Sequence, residues 1–176
     1  NVDHLDEIED LEAVADKVGQ PVRAGIRINL DAGITPAWSR FGFNLESGGA
    51  LAAVERMITG GKIEPVGLHC HIGTFILDPA AYGRQVEKLV ALAYQIQERF
   101  GCEMTYLDIG GGFPARSRLR GTYMPPEVAV APVDDYAESV CRSLRENLRP
   151  GHFPLLIIES GRALIDEAGT LVTSVI

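Results

Sequence analysis

The sequence predicts a parallel α/β layer fold, on three observations. Short apolar strands alternate with longer amphipathic helices along the chain. Several of the strands are apolar at consecutive positions, as strands covered on both faces are. No internal repeat or low-complexity segment breaks the alternation.

The elements follow in order. Leu5, Ile8, Leu11, Val14, Ala15 and Val18 recur at three- and four-residue steps, which predicts an amphipathic helix stopped by Gly19. Val22 to Leu30 alternates apolar and polar residues as a strand does. Ala50 to Ile58 reads as a helix and Val66 to Ile72 as a strand. Asp78 and Pro79 make an N-cap and first-turn pair for a long helix through Tyr82, Val86, Leu89, Val90, Ala93 and Ile96, stopped at Gly101. Met104 to Ile109 is a predicted strand. Arg116 to Pro132 lacks periodicity and reads as a long loop, a kind of segment that is commonly functional or disordered. Val133 to Leu148 returns to helical periodicity, Phe153 to Glu159 is a nearly wholly apolar strand, and Thr170 to Ile176 is predicted as one more.

Composition limits the function. The 176 residues are 46% hydrophobic, enough for a sizeable core, and the formal charge is -8 with no basic run or face. That balance argues against a nucleic-acid partner or an acidic membrane surface. Cys70, Cys102 and Cys141 are odd in number and widely spaced, which suits the reduced thiols of a cytoplasmic protein better than a disulfide framework. No apolar run reaches membrane-spanning length, and the acidic N-terminus has no signal-peptide pattern.

Three motifs carry the chemistry. Leu107-Asp108-Ile109-Gly110-Gly111-Gly112-Phe113-Pro114 places three glycines after a short strand, where the backbone can take positive φ, a ligand can approach without obstruction by Cβ, and N–H groups can gather on a phosphate. Glu159-Ser160-Gly161-Arg162 adds a carboxylate and a guanidinium after another strand, and His69-Cys70-His71-Ile72-Gly73-Thr74 lies upstream. Arg27, His71, Asp108 or the glycines after it, and Glu159 fall at or just beyond the carboxyl ends of four predicted strands. In α/β barrels that rim carries the active site.

In this order and spacing, the motifs resemble the pyridoxal-phosphate-binding barrel domain of the fold-type III decarboxylases. That group holds diaminopimelate, ornithine and arginine decarboxylases and, more distantly, alanine racemase. The resemblance runs from Asn1-Val2-Asp3 through Gly25-Ile26-Arg27-Ile28-Asn29, Arg40-Phe41-Gly42-Phe43 and the three motifs to Ala168-Gly169-Thr170-Leu171-Val172. It implies a (β/α)8 TIM-type barrel. A complete one takes roughly 250 residues, so a partial barrel over residues 1–176 is expected, without the N-terminal barrel strands or the C-terminal β domain.

The resemblance also implies the cofactor, pyridoxal 5'-phosphate, and its neighbours. His71 would stack on the cofactor ring, Glu159 would bond the pyridine nitrogen, and Arg27 would lie nearby. Thr74, Gly110, Gly111, Gly112, Gly161 and Arg162 would hold the phosphate, and Arg40 would lie near a subunit interface of a homodimer. The implied reaction is decarboxylation of a basic or diamino α-amino acid, with His71 and Glu159 catalytic. An amino-acid racemase on the same barrel and a non-catalytic cofactor-binding relative stay open.

Departures from the family pattern leave further expectations. None of Lys17, Lys62 or Lys88 sits in the context of the lysine that binds the cofactor covalently. A fragment, inactive alone, is expected. Ser160 stands where proline is usual, and Thr74-Phe75 where the diaminopimelate branch usually has Ser-Gln.

Simpler readings compete at single residues. Arg27 could be a solvated strand-end charge, and Arg162 could pair with Asp166 or Glu167. Asp108 could accept from nearby N–H groups. His69 is read as a buried histidine bonded to a neighbouring backbone group. Glu159, after four apolar residues, would be costly to bury alone and needs a partner. A zinc site built on the His-x-His pair is a rival, but only His4 and His152 remain to complete it, both in segments that read as solvent-facing, so no metal is expected.

Overall fold

The structure is a computed structural model and describes residues 1–116, 123–166, 168–169 and 172–174. Its elements are α1 (Leu5–Val18), β1 (Val22–Asn29), β2 (Phe43–Asn44), α2 (Gly49–Thr59), β3 (Ile63–Cys70), α3 (Pro79–Phe100), β4 (Tyr106–Asp108), α4 (Pro126–Ala129), α5 (Val133–Asn147), β5 (Leu155–Ile157) and α6 (Arg162–Ile165). The five strands form one wholly parallel sheet in the order β2-β1-β3-β4-β5. Each parallel pairing needs a crossover: helices supply it for β1–β3, β3–β4 and β4–β5, and the irregular segment 30–42 supplies it for β1–β2.

Local chemistry sets the helix limits. Glu7 accepts from the backbone N–H groups of Asp3 and His4 at the start of α1, and Gly19 closes that helix at φ 73°. Asp78 caps α3 by accepting from the Ala80 N–H at 3.0 Å, and Gly101 ends the helix at φ 72°.

Side-chain alternation divides the sheet into two faces. Ile26, Ile28, Leu68, Cys70, Leu107 and Ile109 belong to the apolar core, where they meet Met57 of α2 and Val86, Leu89 and Ile96 of α3. Burial pushes the Cys70 thiol up to about 12, so it is an inert core group. The other face reads in rows across the strands. Gly25, Gly67 and Tyr106 share one row, and the Tyr106 ring occupies the space that a Cβ at either glycine would need. Arg27, His69 and Asp108 share the row nearer the carboxyl ends, in register with Ile157.

Three helix side chains fix the rim above these rows. Gln85 of α3 is fully buried and donates to the carbonyls of Cys70 at 2.7 Å and Ile109 at 3.0 Å, tying the ends of β3 and β4 together. Tyr82 donates to the Gly111 carbonyl at 3.0 Å, and Tyr136 of α5 to the Ile76 carbonyl at 2.9 Å. Gln85→Leu strands two buried carbonyls, so a loss of about 1–3 kcal/mol is expected. Urea denaturation of the full-length protein measures it, and an unchanged midpoint would contradict the role.

Several expectations need correction. β3 ends at Cys70, so His71 opens the following loop instead of lying within the strand. The predicted loop Arg116 to Pro132 contains the short helix α4, started by Pro125 and Pro126; residues 117–122 lie outside the described residues. The predicted strand Thr170 to Ile176 lies partly outside them, and Val172, Thr173 and Ser174 are not in a strand. β2 and α6 were not expected. β2 is two residues long and is held by the Asn44 amide donating to Asn29 Oδ1 at 2.9 Å, a pairing that no local pattern announces.

Candidate cofactor site

The carboxyl ends of β1 and β3 and the segment after β5 border a cavity of about 430 Å3 lined by Asn1, Asp3, Arg27, His69, His71 and Glu159 among others. It opens on the rim expected from the sequence, and three of the expected residues meet there.

Arg27 projects from β1 and lies over the Phe41 ring, 5.0 Å from its centroid, with Arg40 over the same ring at 5.1 Å. Gly42 makes this approach possible. Its φ is +87°, and a Cβ there would lie 2.9 Å from the Arg27 carbonyl oxygen. His71 is half-buried, meets Trp38 edge-on at 6.1 Å, and accepts at Nδ1 from the Gly111 N–H at 3.3 Å. Burial, then Arg27 and His69, hold its pKa below the ordinary imidazole value, while Glu159 opposes them.

A neutral His71 is what the Gly111 contact requires, and it makes stability depend on pH. The folded protein holds this proton less readily than the unfolded chain does. The contribution is therefore complete above the ordinary value of 6.5 and is lost as pH falls from there through the lowered one. Urea midpoints of the full-length protein should fall between about pH 7.5 and about pH 5, and fall less in His71→Gln. An equal fall in both proteins would count against the assignment.

Asp108 is buried and accepts from the Gly110 N–H at 2.9 Å, the structural role that its position suggested. Its pKa is raised by burial, against the pull of that N–H and of His69. Glu159 stands two residues past β5, with its N–H donating to the Gly110 carbonyl at 2.9 Å and its side chain 52% exposed. The expected burial cost does not arise, because the carboxylate faces the open cavity.

The partner of Glu159 is a residue that sequence reasoning set aside. His69 Nε2 lies 3.6 Å from Glu159 Oε2, and no backbone group bonds the ring as expected. One ligand atom from each of His69, Asp108 and Glu159 lies within 4.8 Å of the other two. The groups gathered at the His-x-His pair are thus Asp108 and Glu159. Neither His4 nor His152 joins them, and His152 is not solvent-facing: its side chain is 17% exposed and its Nδ1 lies 3.1 Å from the Tyr94 hydroxyl. His69 shares a strand face with His71, the one signal in the sequence that could have drawn it into the site.

The glycine triplet has a packing role that the sequence did not announce. Two of its N–H groups serve Asp108 and His71, and the space beside each Cα holds a neighbouring loop. A Cβ at Gly110 would lie 2.9 Å from the Cys70 carbonyl oxygen, one at Gly111 would lie 2.5 Å from that of Glu159, and one at Gly112 would overlap that of Gly73. The triplet therefore lets the loops after β3, β4 and β5 close on one another. Thr74 is exposed in the first of these loops. Gly161 and Arg162 open α6 in the last, and the Arg162 guanidinium lies over the Phe75 ring, 5.9 Å from its centroid, beside Thr74.

Fold and site together define a small-ligand-binding domain built on an arc of an α/β barrel, with basic and hydroxyl groups at one end of the rim and carboxylates with histidines at the other. The chain matches the family described as "Pyridoxal-dependent decarboxylase, pyridoxal binding domain" over residues 1–166, and it belongs to that family. It is similar to the diaminopimelate decarboxylase of Aquifex aeolicus, 33% identical over 99% of this chain and 40% of the relative. The diaminopimelate decarboxylase of Archaeoglobus fulgidus is 29% identical over 99% and 41%. Among solved structures, the Helicobacter pylori diaminopimelate decarboxylase complexed with L-lysine superposes with a TM-score of 0.70 at 26% identity, covering 93% of this chain and 40% of that one. A Vibrio vulnificus lysine/ornithine decarboxylase complexed with putrescine gives 0.67 at 26%, covering 93% and 38%. The chain thus spans about 40% of the length of the curated relatives it matches, and its sheet is part of a barrel. Pyridoxal 5'-phosphate is the cofactor that membership brings.

Proposed function

We propose that this chain is the cofactor-holding barrel portion of an amino-acid decarboxylase, as a single domain over residues 1–176, acting on a basic or diamino α-amino acid. Meso-diaminopimelate is the first substrate to test, because it is named in the relatives' activity. The observation that carries the reading is a carboxylate, Glu159, on the same cavity as His69, His71 and Arg27.

The residues fit the cofactor. Glu159 is open to the cavity, and His69 keeps two buried ring nitrogens without partners among the described residues. A ring bearing a basic nitrogen complements that end. Arg162, the Thr74 hydroxyl, Gly112 and Gly161 would hold a phosphate at the other end, with the guanidinium supplying planar charged donors. Gly110 and Gly111 contribute by closing the loops, not by leaving room for the ligand.

When bound, pyridoxal 5'-phosphate supplies an electron sink for the bonding pair released as the α-carboxylate departs. Glu159, as an anion, keeps a proton on the pyridine nitrogen. His71, neutral and fixed by the Gly111 N–H, offers its ring as one wall for the cofactor plane. Arg27, held on Phe41, adds positive charge beside the histidines.

We further propose a cytoplasmic homodimer with Arg40 near the subunit interface. No described helix is long and apolar enough to cross a membrane, and a formal charge of -8 does not suit a nucleic-acid partner. The full-length protein with cofactor should release carbon dioxide from at least one of meso-diaminopimelate, lysine, ornithine and arginine. Cα deuterium exchange with the carboxylate retained, and no carbon dioxide from any of them, would replace this reading with a racemase. Neither signal would leave a non-catalytic cofactor-binding relative.

A further inference from the structure

His69 has no task in the scheme above, and its surroundings suggest one. It is 6% exposed, yet neither ring nitrogen has a hydrogen-bond partner among the described residues. Native interiors seldom leave a buried imidazole in that state, and such a group calls for an explanation. One ligand atom of the ring lies within 4.8 Å of a carboxylate oxygen of each of Asp108 and Glu159. Glu159 Oε2 is 3.6 Å from Nε2, and Asp108 is its neighbour in the parallel register, itself held by the Gly110 N–H at 2.9 Å. Arg27 flanks His69 from β1, His71 follows it in its own segment, and Asp3 and Glu7 complete the charged lining.

We propose that His69 is a positioning residue, a relay that joins Asp108 to Glu159 and holds the Glu159 carboxylate against a ring nitrogen of the bound ligand. Asp108 is anchored to the backbone, so it is the fixed end of the relay. Glu159 is half-exposed, and its side chain makes no hydrogen bond among the described residues, so it is the end that needs holding. The gap of 3.6 Å lies a few tenths of an ångström outside an ordinary N–H···O bond, and closing it takes one side-chain adjustment. With Glu159 accepting from Nε2, and Asp108 beside the ring in the strand register, the imidazole gains the partner it lacks. The proposal rests on the reading that Glu159 faces the pyridine nitrogen.

The test uses the full-length protein, its cofactor-free form and pyridoxal 5'-phosphate itself. The two readouts are the dissociation constant of the cofactor and the pH midpoint of the bound-cofactor absorbance change, in His69→Leu, His69→Gln and Glu159→Gln. His69→Leu should weaken cofactor binding roughly tenfold and move the midpoint in the same direction as Glu159→Gln. His69→Gln, whose amide still donates, should recover most of both. The double variant of His69→Leu with Glu159→Gln should be no worse than Glu159→Gln alone, because a relay acts only through the group it holds. If His69→Leu does not fold, His69→Ser, too short to span the gap, takes its place with the same expected losses. A His69 variant matching wild type in both readouts, while Glu159→Gln is altered, would overturn the relay alone. A silent Glu159→Gln would overturn the relay together with the assignment of Glu159.

Discussion

Glu159→Gln in the full-length protein is expected to lower turnover by about 10²–10³-fold, a loss of about 2.7–4 kcal/mol of transition-state stabilisation, with the fold intact. The size follows from what the substitution removes. Glutamine keeps the shape and a hydrogen-bond acceptor but loses the negative charge that holds a proton on the pyridine nitrogen. The fold survives because the side chain is 52% exposed and faces the cavity, so no buried core is opened. KM for the amino acid should change little, since Glu159 would touch the cofactor and not the substrate. Carbon dioxide release under saturating cofactor measures the effect. A variant that keeps wild-type turnover would remove Glu159 from the chemistry.

What could be read in the sequence was what local chemistry decides. The helix α1 begins and ends where the apolar spacing and Gly19 put it, and α3 begins at the Asp78 cap. Arg27, His71 and Glu159 reach one cavity because each follows or ends a strand of the same parallel sheet, a regularity of the fold that needs no distance information. His69 escaped because its meaning lies in two residues, Asp108 and Glu159, that only the strand register and the loop after β5 bring beside it. β2 escaped because two residues carry no period, and its pairing depends on Asn29 and Asn44, 15 residues apart. The packing role of the glycine triplet escaped for the same reason: what fills the space beside each glycine is a loop from elsewhere in the chain.

That packing makes Gly112→Ala the most disruptive small substitution at the rim. Gly112 has φ +89°, where a non-glycine residue costs about 1–2 kcal/mol. Its new Cβ would overlap the Gly73 carbonyl oxygen and approach the Tyr82 hydroxyl to 3.3 Å. The carbonyl is backbone and cannot swing aside, so the loop after β3 must move, at a further cost of about 1–3 kcal/mol. The hydrogen bond from the Ile76 N–H to the Gly112 carbonyl, 2.9 Å, joins the same two loops and would be strained with them. Since Thr74 lies within the displaced loop, cofactor affinity should fall along with stability. Gly169→Ala is the control. Its φ is not in the left-handed range and no atom lies within 4 Å of an added Cβ, so a change within about 0.5 kcal/mol is expected there. Urea denaturation and cofactor titration of the two full-length variants decide the matter. If Gly112→Ala is as stable as Gly169→Ala and binds cofactor equally well, the loops after β3 and β4 are not locked together at this glycine, and the closed rim on which the site is built would have to be drawn differently.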